Sequence, residues 1–324
     1  MPLLKRRTVF AAKIESTIGT AETLTATEGS FNAYDVMVQA NVSVADREVQ
    51  GSFDMLQGVP GAYEGTVTFK TGMGFDTAVP SWATVLFPAC GYVQSGTVFK
   101  PESRSPTDPA ASTKTVTIGA FIDGAYKKLA GAMGNFKISA PAGQEATIEW
   151  EFKGVWQDMV DATIIAPTYP TSLPIRFGEG VITYNSINQV VENVSFDAGN
   201  EVILRESAAT AAGFVSALVV SRQPRVTINP EAVLIATDSE DKYSYWTKME
   251  TAGGVANLYP FSCQMVSPFG AAATGTLVLA APAGQIISIA QADRSKLVID
   301  EIEIACQKNG GAIDEDVSIT FTAG

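Results

Sequence analysis

ATIEWEF (146–152) puts Ile148, Trp150 and Phe152 on one side of an extended chain and Thr147, Glu149 and Glu151 on the other. Successive side chains of a β-strand point to opposite faces, so this alternation predicts a strand with one face in a core and one in water. The same period of two recurs at TVTFK (66–70), TVTI (115–118), RVTIN (225–229), IDEIEIA (299–305) and VSITFT (317–322), and AYDVMVQANVSV (33–44) alternates in part. Pro60-Gly61, Asp123-Gly124, Pro141-Ala142-Gly143 and Asn309-Gly310-Gly311 separate the runs as turns. Helical stretches are few. PSWATVLFPACG (80–91) reads as a short helix with Ser81 as its N-cap and Pro88 near its end, and EDKYSYWTKMET (240–251) as a second. The fold class is mainly β, with one short helix in each half.

Working outward, the halves resemble each other. NVSVAD (41–46) matches NVSFDA (193–198), TVTF (66–69) matches RVTI (225–228), and the two helical stretches align at Trp82 and Trp246. The matches keep their order, as a duplication with small insertions would leave them. Each half then reads as ending in a hairpin, NFKISAPAGQEATIEWEFKG (135–154) and EIEIACQKNGGAIDEDVSITFTAG (301–324). Between the halves APTYPTSLP (166–174) holds three prolines, each fixing φ and lacking a ladder donor, so it reads as an extended linker. The expected layout is a first β domain over 1–165, the linker over 166–174 and a second β domain over 175–324, each near ordinary domain size.

Composition narrows the chemistry. Lys and Arg total 22 against 34 Asp and Glu, a net charge of −12, which runs opposite to a nucleic-acid grip. Charged residues make up 17% of the 324, below the roughly 25% of soluble domains, so much of the surface is expected to face neighbours in an assembly. There is no histidine, which removes His-based triads and His-ligated metal sites. Cys90, Cys263 and Cys306 are too scattered for a disulfide framework and read as packed free thiols. The basic start (Lys5, Arg6, Arg7) lacks the apolar core of a secretory signal, and the uncharged run 251–292 is broken repeatedly by Gly and Pro, so no membrane span is expected. The chain reads as soluble and made in the cytoplasm.

Catalysis would then rest on carboxylates. Glu149 and Glu151 share one strand face, and Asp314-Glu315-Asp316 form an acidic turn; both read first as solvated groups, with a calcium site at 314–316 as the alternative for the second. Trp82, Trp150, Trp156 and Trp246 follow strand or helix spacing and read as core. No catalytic, cofactor or metal residue is assigned.

A resemblance adds to this. Glu15, Gly19-Thr20-Ala21, GTVTF (65–69), the Trp82 helix ending at Cys90-Gly91-Tyr92, DGAYKKLAGAMGNF (123–136) and a hairpin closing at Gly154 follow one another in an order that resembles the tail tube proteins of long-tailed bacteriophages. The resemblance is clearest over 15–154 and reaches the second half only through the internal repeat. It implies tandem tail-tube-like domains, each a β-sandwich flanked by a helix, with strands that line a continuous β-barrel around a DNA channel. It also implies a structural protein of the virion tail, assembled in the host cytoplasm, and no enzyme. Rings in such tubes carry six domains, so two per chain implies trimeric, pseudo-sixfold rings; a hexamer carrying the second half as outer decoration is the alternative. Implied partners are further copies of the chain, the tail terminator, tape measure and baseplate or tip proteins, with genomic DNA passing through unbound. Alternation makes Glu149, Glu151, Glu301 and Glu303 the candidate lumen-facing acids. The Gly- and Pro-rich segments 51–64 (with Asp54 and Tyr63) and 100–112, and the arm carrying Lys5, Arg6 and Arg7, are the candidate inter-ring contacts. A virion decoration or fibre protein, and a carboxylate-based glycan hydrolase, remain the other classes.

Overall fold

The computed structural model describes residues 3–75, 78–103, 113–170, 173–233, 258–266, 275–311 and 313–323. The first half runs through a 3-10 turn (Lys5–Arg7), β1 (Thr8–Ile14), β2 (Tyr34–Glu48), β3 (Met55–Gly72), α1 (Ser81–Ala89), β4 (Tyr92–Ser95), β5 (Val98–Pro101), β6 (Val116–Ile122), β7 (Ala125–Pro141) and β8 (Thr147–Asp161). The second half contains β9 (Val181–Tyr184), β10 (Ile187–Asn188), β11 (Val191–Asp197), β12 (Asn200–Glu206), β13 (Phe214–Arg222) and β14 (Arg225–Pro230). It continues with β15 (Tyr259–Val266), β16 (Gly275–Arg294), β17 (Leu297–Cys306) and β18 (Ser318–Ala323). The protein is mainly β, as its alternation predicts. Helix α1 is where PSWATVLFPACG places it, but Pro80 rather than Ser81 is the N-cap, and Pro88 lies inside the last turn. A proline at that cap offers no side-chain acceptor, so the Pro80 carbonyl alone receives Ala83 N–H and Thr84 N–H. The second helical stretch, with Trp246, lies outside the described residues, as does 104–112 of the second loop.

One antiparallel sheet of 16 strands crosses both halves, and eight of its strands follow one another in the order β16-β17-β14-β11-β7-β8-β3-β2. The order contains the same four-strand unit twice. In the first, Thr68 of β3 lies between Met37 of β2 and Glu151 of β8. In the second, Thr227 of β14 lies between Ser195 of β11 and Glu303 of β17. Each unit also carries a register shift, between Ala130 and Met133 against β8 and, closer to the matched row, between Ile286 and Ser288 against β17. The internal repeat is therefore structural, though one match is misaligned. Gln39 opposes Thr66 and Asp197 opposes Arg225, so NVSVAD and NVSFDA are not equivalent strands' positions despite their similarity. The second closing hairpin is also corrected. β17 turns back to β16, while β18 leaves to pair with β16 and with β5 of the first half. Among the linker's described residues, an isolated bridge of Pro174 to Gly74 is its one ladder contact.

A single apolar cluster fills the space behind this sheet and draws on both halves. Trp150 packs on Phe69, Trp82, Phe87, Phe136 and Phe152, and its indole N–H donates to Thr71 Oγ1 at 2.8 Å. Phe321 of β18 meets Phe75, Trp82, Phe87 and Phe99 of the first half, with ring centroids 5.7 to 6.3 Å apart. The alternation of VSITFT is thus satisfied, with Val317, Ile319 and Phe321 buried, although in a core shared with the other half. Among the described residues no helix is long and apolar enough to cross a membrane.

Candidate functional site

The strand period leaves one face of this eight-strand stretch of the sheet polar. Its side chains include Thr66, Thr68 and Lys70 on β3, Glu149 and Glu151 on β8, Asn135 and Lys137 on β7, Ser195 and Asp197 on β11, Arg225 and Thr227 on β14, and Glu301 and Glu303 on β17; each neighbours buried positions on both sides along its strand. The four acids singled out by alternation therefore lie on one surface, two from each repeat. Acids and bases are interleaved across the ladders: Lys70 pairs with Glu149 at 2.5 Å, Lys137 with Asp197 at 2.8 Å and Arg225 with Glu303 at 2.6 Å. Glu149 beside Lys70 pushes that ammonium above its usual range, and Asp197 does the same to Lys137, helped by the fields of Glu149 and Glu151. Neighbouring opposite charges on one face of a sheet cancel at a distance longer than their spacing. The face is hydrophilic but carries no concentrated field of either sign.

The two repeats meet on this sheet where β11 pairs with β7, Asp197 opposite Lys137, Phe196 opposite Ile138 and Ser195 opposite Ser139. Core-side Phe196 and Ile138 are buried, while Asp197 and Lys137 close the polar side. Asp197 Oδ1 also accepts from Asn135 Nδ2 at 2.9 Å and from Gly199 N–H at 2.8 Å. Partial burial pushes the Asp197 carboxyl up, but the donors Lys137, Asn135 and Gly199 together outweigh it and hold the group below the usual carboxylate range. A depressed folded pKa contributes stability above the unfolded value, about 3.9, and that contribution is lost as pH falls through the folded value. Asp197→Asn is accordingly expected to flatten the fall in thermal midpoint between pH 5 and pH 2 relative to the parent. An equally steep fall in both proteins would remove Asp197 from the acid response.

A second polar arrangement fixes the other side of β7. The Glu15 carboxylate is 7% exposed and accepts from Thr115 Oγ1 (2.6 Å), Thr117 Oγ1 (2.8 Å), Gly131 N–H (2.7 Å) and Gly19 N–H (2.8 Å). Gly131 sits at φ +59°, and Ser216 of β13 packs against it so closely that a Cβ there would lie 2.9 Å from Ser216 Cβ. The β12–β13 hairpin thereby lies on the first repeat, and its Ala212 carbonyl receives Tyr63 N–H at 2.9 Å.

A sequence profile for the family described as phage tail tube protein matches residues 5–323. The chain belongs to the phage tail tube protein family. No curated protein matches it. The expectation drawn from Glu15, Cys90-Gly91-Tyr92 and the 123–154 segment is met, and the matched span includes the second half as well as the first.

This tail tube protein carries its remaining singled-out residues in varied settings. Lys5 and Arg6 are exposed, whereas Arg7 pairs with Asp123 at 2.6 Å within the chain. Asp54 lies at the exposed end of the β2–β3 hairpin, bonded to Ser52, while Tyr63 lies nearer its root and is tied to β12–β13. The acidic turn at 314–316 is not the solvated loop that its composition suggests. Arg222 reaches Asp316 at 3.3 Å and Asp314 at 3.5 Å, Asp314 also accepts from Ser103, and Glu315 holds Lys100 at 2.9 Å. These carboxylates are taken by cations from two other segments, and among the described residues no cluster of potential ligands is arranged for a metal. The three thiols are buried, and burial pushes Cys263 and Cys306 up to about 12 and Cys90 also well above its usual range. They pack as apolar groups. Glu15 marked the resemblance in the sequence, but its role in seating a hairpin was hidden, because three of its four donors, Thr115, Thr117 and Gly131, come from segments about a hundred residues away.

Proposed function

We propose that the chain polymerises as stacked trimeric rings, with its two repeats (1–165 and 175–324) supplying six pseudo-equivalent positions around a DNA conduit in the virion tail. The observation that carries the reading is the interleaved polar face of the eight-strand stretch, to which Glu149, Glu151, Glu301 and Glu303 contribute. DNA is a dense polyanion held to proteins chiefly by counterion release from clustered Lys and Arg. On this face Lys70, Lys137 and Arg225 are already paired with carboxylates, which leaves Lys153 among an excess of acids; such a face offers little of that exchange, so the double helix passes without being gripped. The reading makes the protein a structural element and not an enzyme, with other tail components at the ends of the tube. The β2–β3 hairpin suits ring-to-ring contact, since Val44, Phe53, Met55 and Val59 are all more than half exposed on it. Lys5, Arg6 and Asp54 are further positions available to a neighbouring ring.

Negative-stain electron microscopy across a concentration series, with native mass measurement on the same samples, tests this. Hollow tubes or stacked rings of three chains are the expected result. Closed particles without a central channel would overturn the conduit reading and favour a decoration protein; six chains per ring would overturn the trimer alone.

A further inference from the structure

The sheet order makes one contact inside the chain a template for a contact between chains. The first repeat meets the second through β7 and β11, and each repeat has both of these strands: β16 is the counterpart of β7, and β2 is the counterpart of β11. At the two ends of the eight-strand series these counterparts have open edges. Beyond residue 284, β16 pairs only with β17 among the described strands, and β2 pairs only with β3. Residues can be matched through the ladders. Glu149 opposite Lys137 corresponds to Glu301 opposite Ala290, and Arg225 opposite Asp197 corresponds to Thr66 opposite Gln39.

We propose that β2 of one copy pairs antiparallel with β16 of a second copy in the register of the internal junction, Gln39 opposite Ala290, Val38 opposite Gln291 and Met37 opposite Ala292. The inference rests on the ring reading above and names its seam. An unpaired strand edge invites another strand, and a head-to-tail contact repeated by one rotation closes a ring. Burial agrees with this. Phe196, Val194 and Phe136 at the internal junction are buried, while their counterparts Val38, Val36 and Ile289 pack against the core but stay half-covered, awaiting a neighbouring strand. The seam also differs from its template. Where the internal junction has the Lys137–Asp197 ion pair, the seam has the uncharged pair Ala290 and Gln39. The same register places Asp35 opposite Arg294, at the row where the internal junction has Asn193 opposite Pro141, so the charged row of the seam lies at the other end of the contact.

Cysteines at Gln39 and Ala290 test the register. Directly opposed residues of an antiparallel pair lie about 4.5–5.5 Å apart between Cα atoms, within disulfide reach, whereas a shift of two residues along the strand takes them out of it. The three native thiols are buried and do not compete. In samples whose oligomer content is measured by native mass, oxidation of Q39C/A290C is expected to give covalent chains ending at three, at least about tenfold more than the shifted pair Q39C/S288C. Neither single variant should link. Rings or tubes that form in both variants but link no better in register would overturn the seam and leave the ring reading standing. Monomers at every concentration, in the parent and the variants alike, would overturn both. A companion variant, Gln39→Asp with Ala290→Lys, copies the internal ion pair into the seam and should lower the concentration at which rings form, an effect lost in high salt. No shift in that concentration would count against the register.

Discussion

Glu15→Gln is expected to lower the thermal midpoint by about 5–10 °C, the equivalent of about 2–4 kcal/mol in a chain of this size. The carboxylate presents oxygen to four donors, and two of these are the main-chain N–H groups of Gly131 and Gly19, one on each oxygen. An amide has one oxygen only. Whichever way it turns, its NH₂ faces a main-chain N–H, buried at Gly131 and half-buried at Gly19, and a buried donor deprived of its acceptor bears its desolvation cost. The threonine hydroxyls can rotate to accept, but the backbone cannot. Because Gly131 is also where Ser216 packs, the β12–β13 hairpin should loosen together with β7. Differential scanning calorimetry and limited proteolysis between 206 and 214 would check both parts. An unchanged midpoint would mean that the four donors find other partners.

Gly199→Ala is expected to cost about 3 kcal/mol or more, combining a left-handed backbone penalty with overpacking. Gly199 has φ +63°, and a Cβ there would run into the Gln223 carbonyl oxygen and carbon, both main-chain atoms that cannot swing aside. The position joins β11, inside the large sheet, to β12, which leaves it for the separate two-stranded β12–β13 sheet. Its counterpart in the first repeat is near Asn41, where β2 runs on into an exposed arm. Two equivalent hairpins therefore follow different courses, and the glycine permits the bend of one. The variant should be cut faster by protease at 206–214 than the parent, while Asn41→Ala should leave the arm's course unchanged. Equal cleavage of Gly199→Ala and parent would show that the bend does not depend on the glycine.

The period of two was enough to read the fold class and the polar side of each strand, because a strand's alternation is written in consecutive residues. It placed Glu149 and Glu151 on the polar side of one strand and Glu301 and Glu303 on that of another; that the two sides belong to one surface came from the ladders between them. Pairing itself was less legible. NVSVAD and NVSFDA look alike because both satisfy the same pattern of alternation, which is blind to a shift along the strand; only the ladders at Thr66 and Arg225 set the equivalence. The partner of VSITFT could not be read from its neighbours, since β18 finds β16 and β5 rather than the strand just before it. The acidic turn failed for the same reason, because Arg222 and Lys100, which neutralise it, lie about a hundred and two hundred residues away. That the edges of β2 and β16 were open emerged only from the whole sheet.

The placement of β18 bears on how the protein is made. Phe321 seals a pocket formed by Phe75, Trp82, Phe87 and Phe99, residues that leave the ribosome more than two hundred positions earlier. A nascent first repeat is therefore left with an aromatic cluster facing water until translation has passed Ser318, and exposed apolar surface of that kind is what chaperones hold. Products of interrupted synthesis are expected to stay bound or be degraded instead of entering a growing polymer. A chain truncated at 317 and mixed with intact subunits should be absent from purified assemblies; its incorporation would show that the first repeat closes without help.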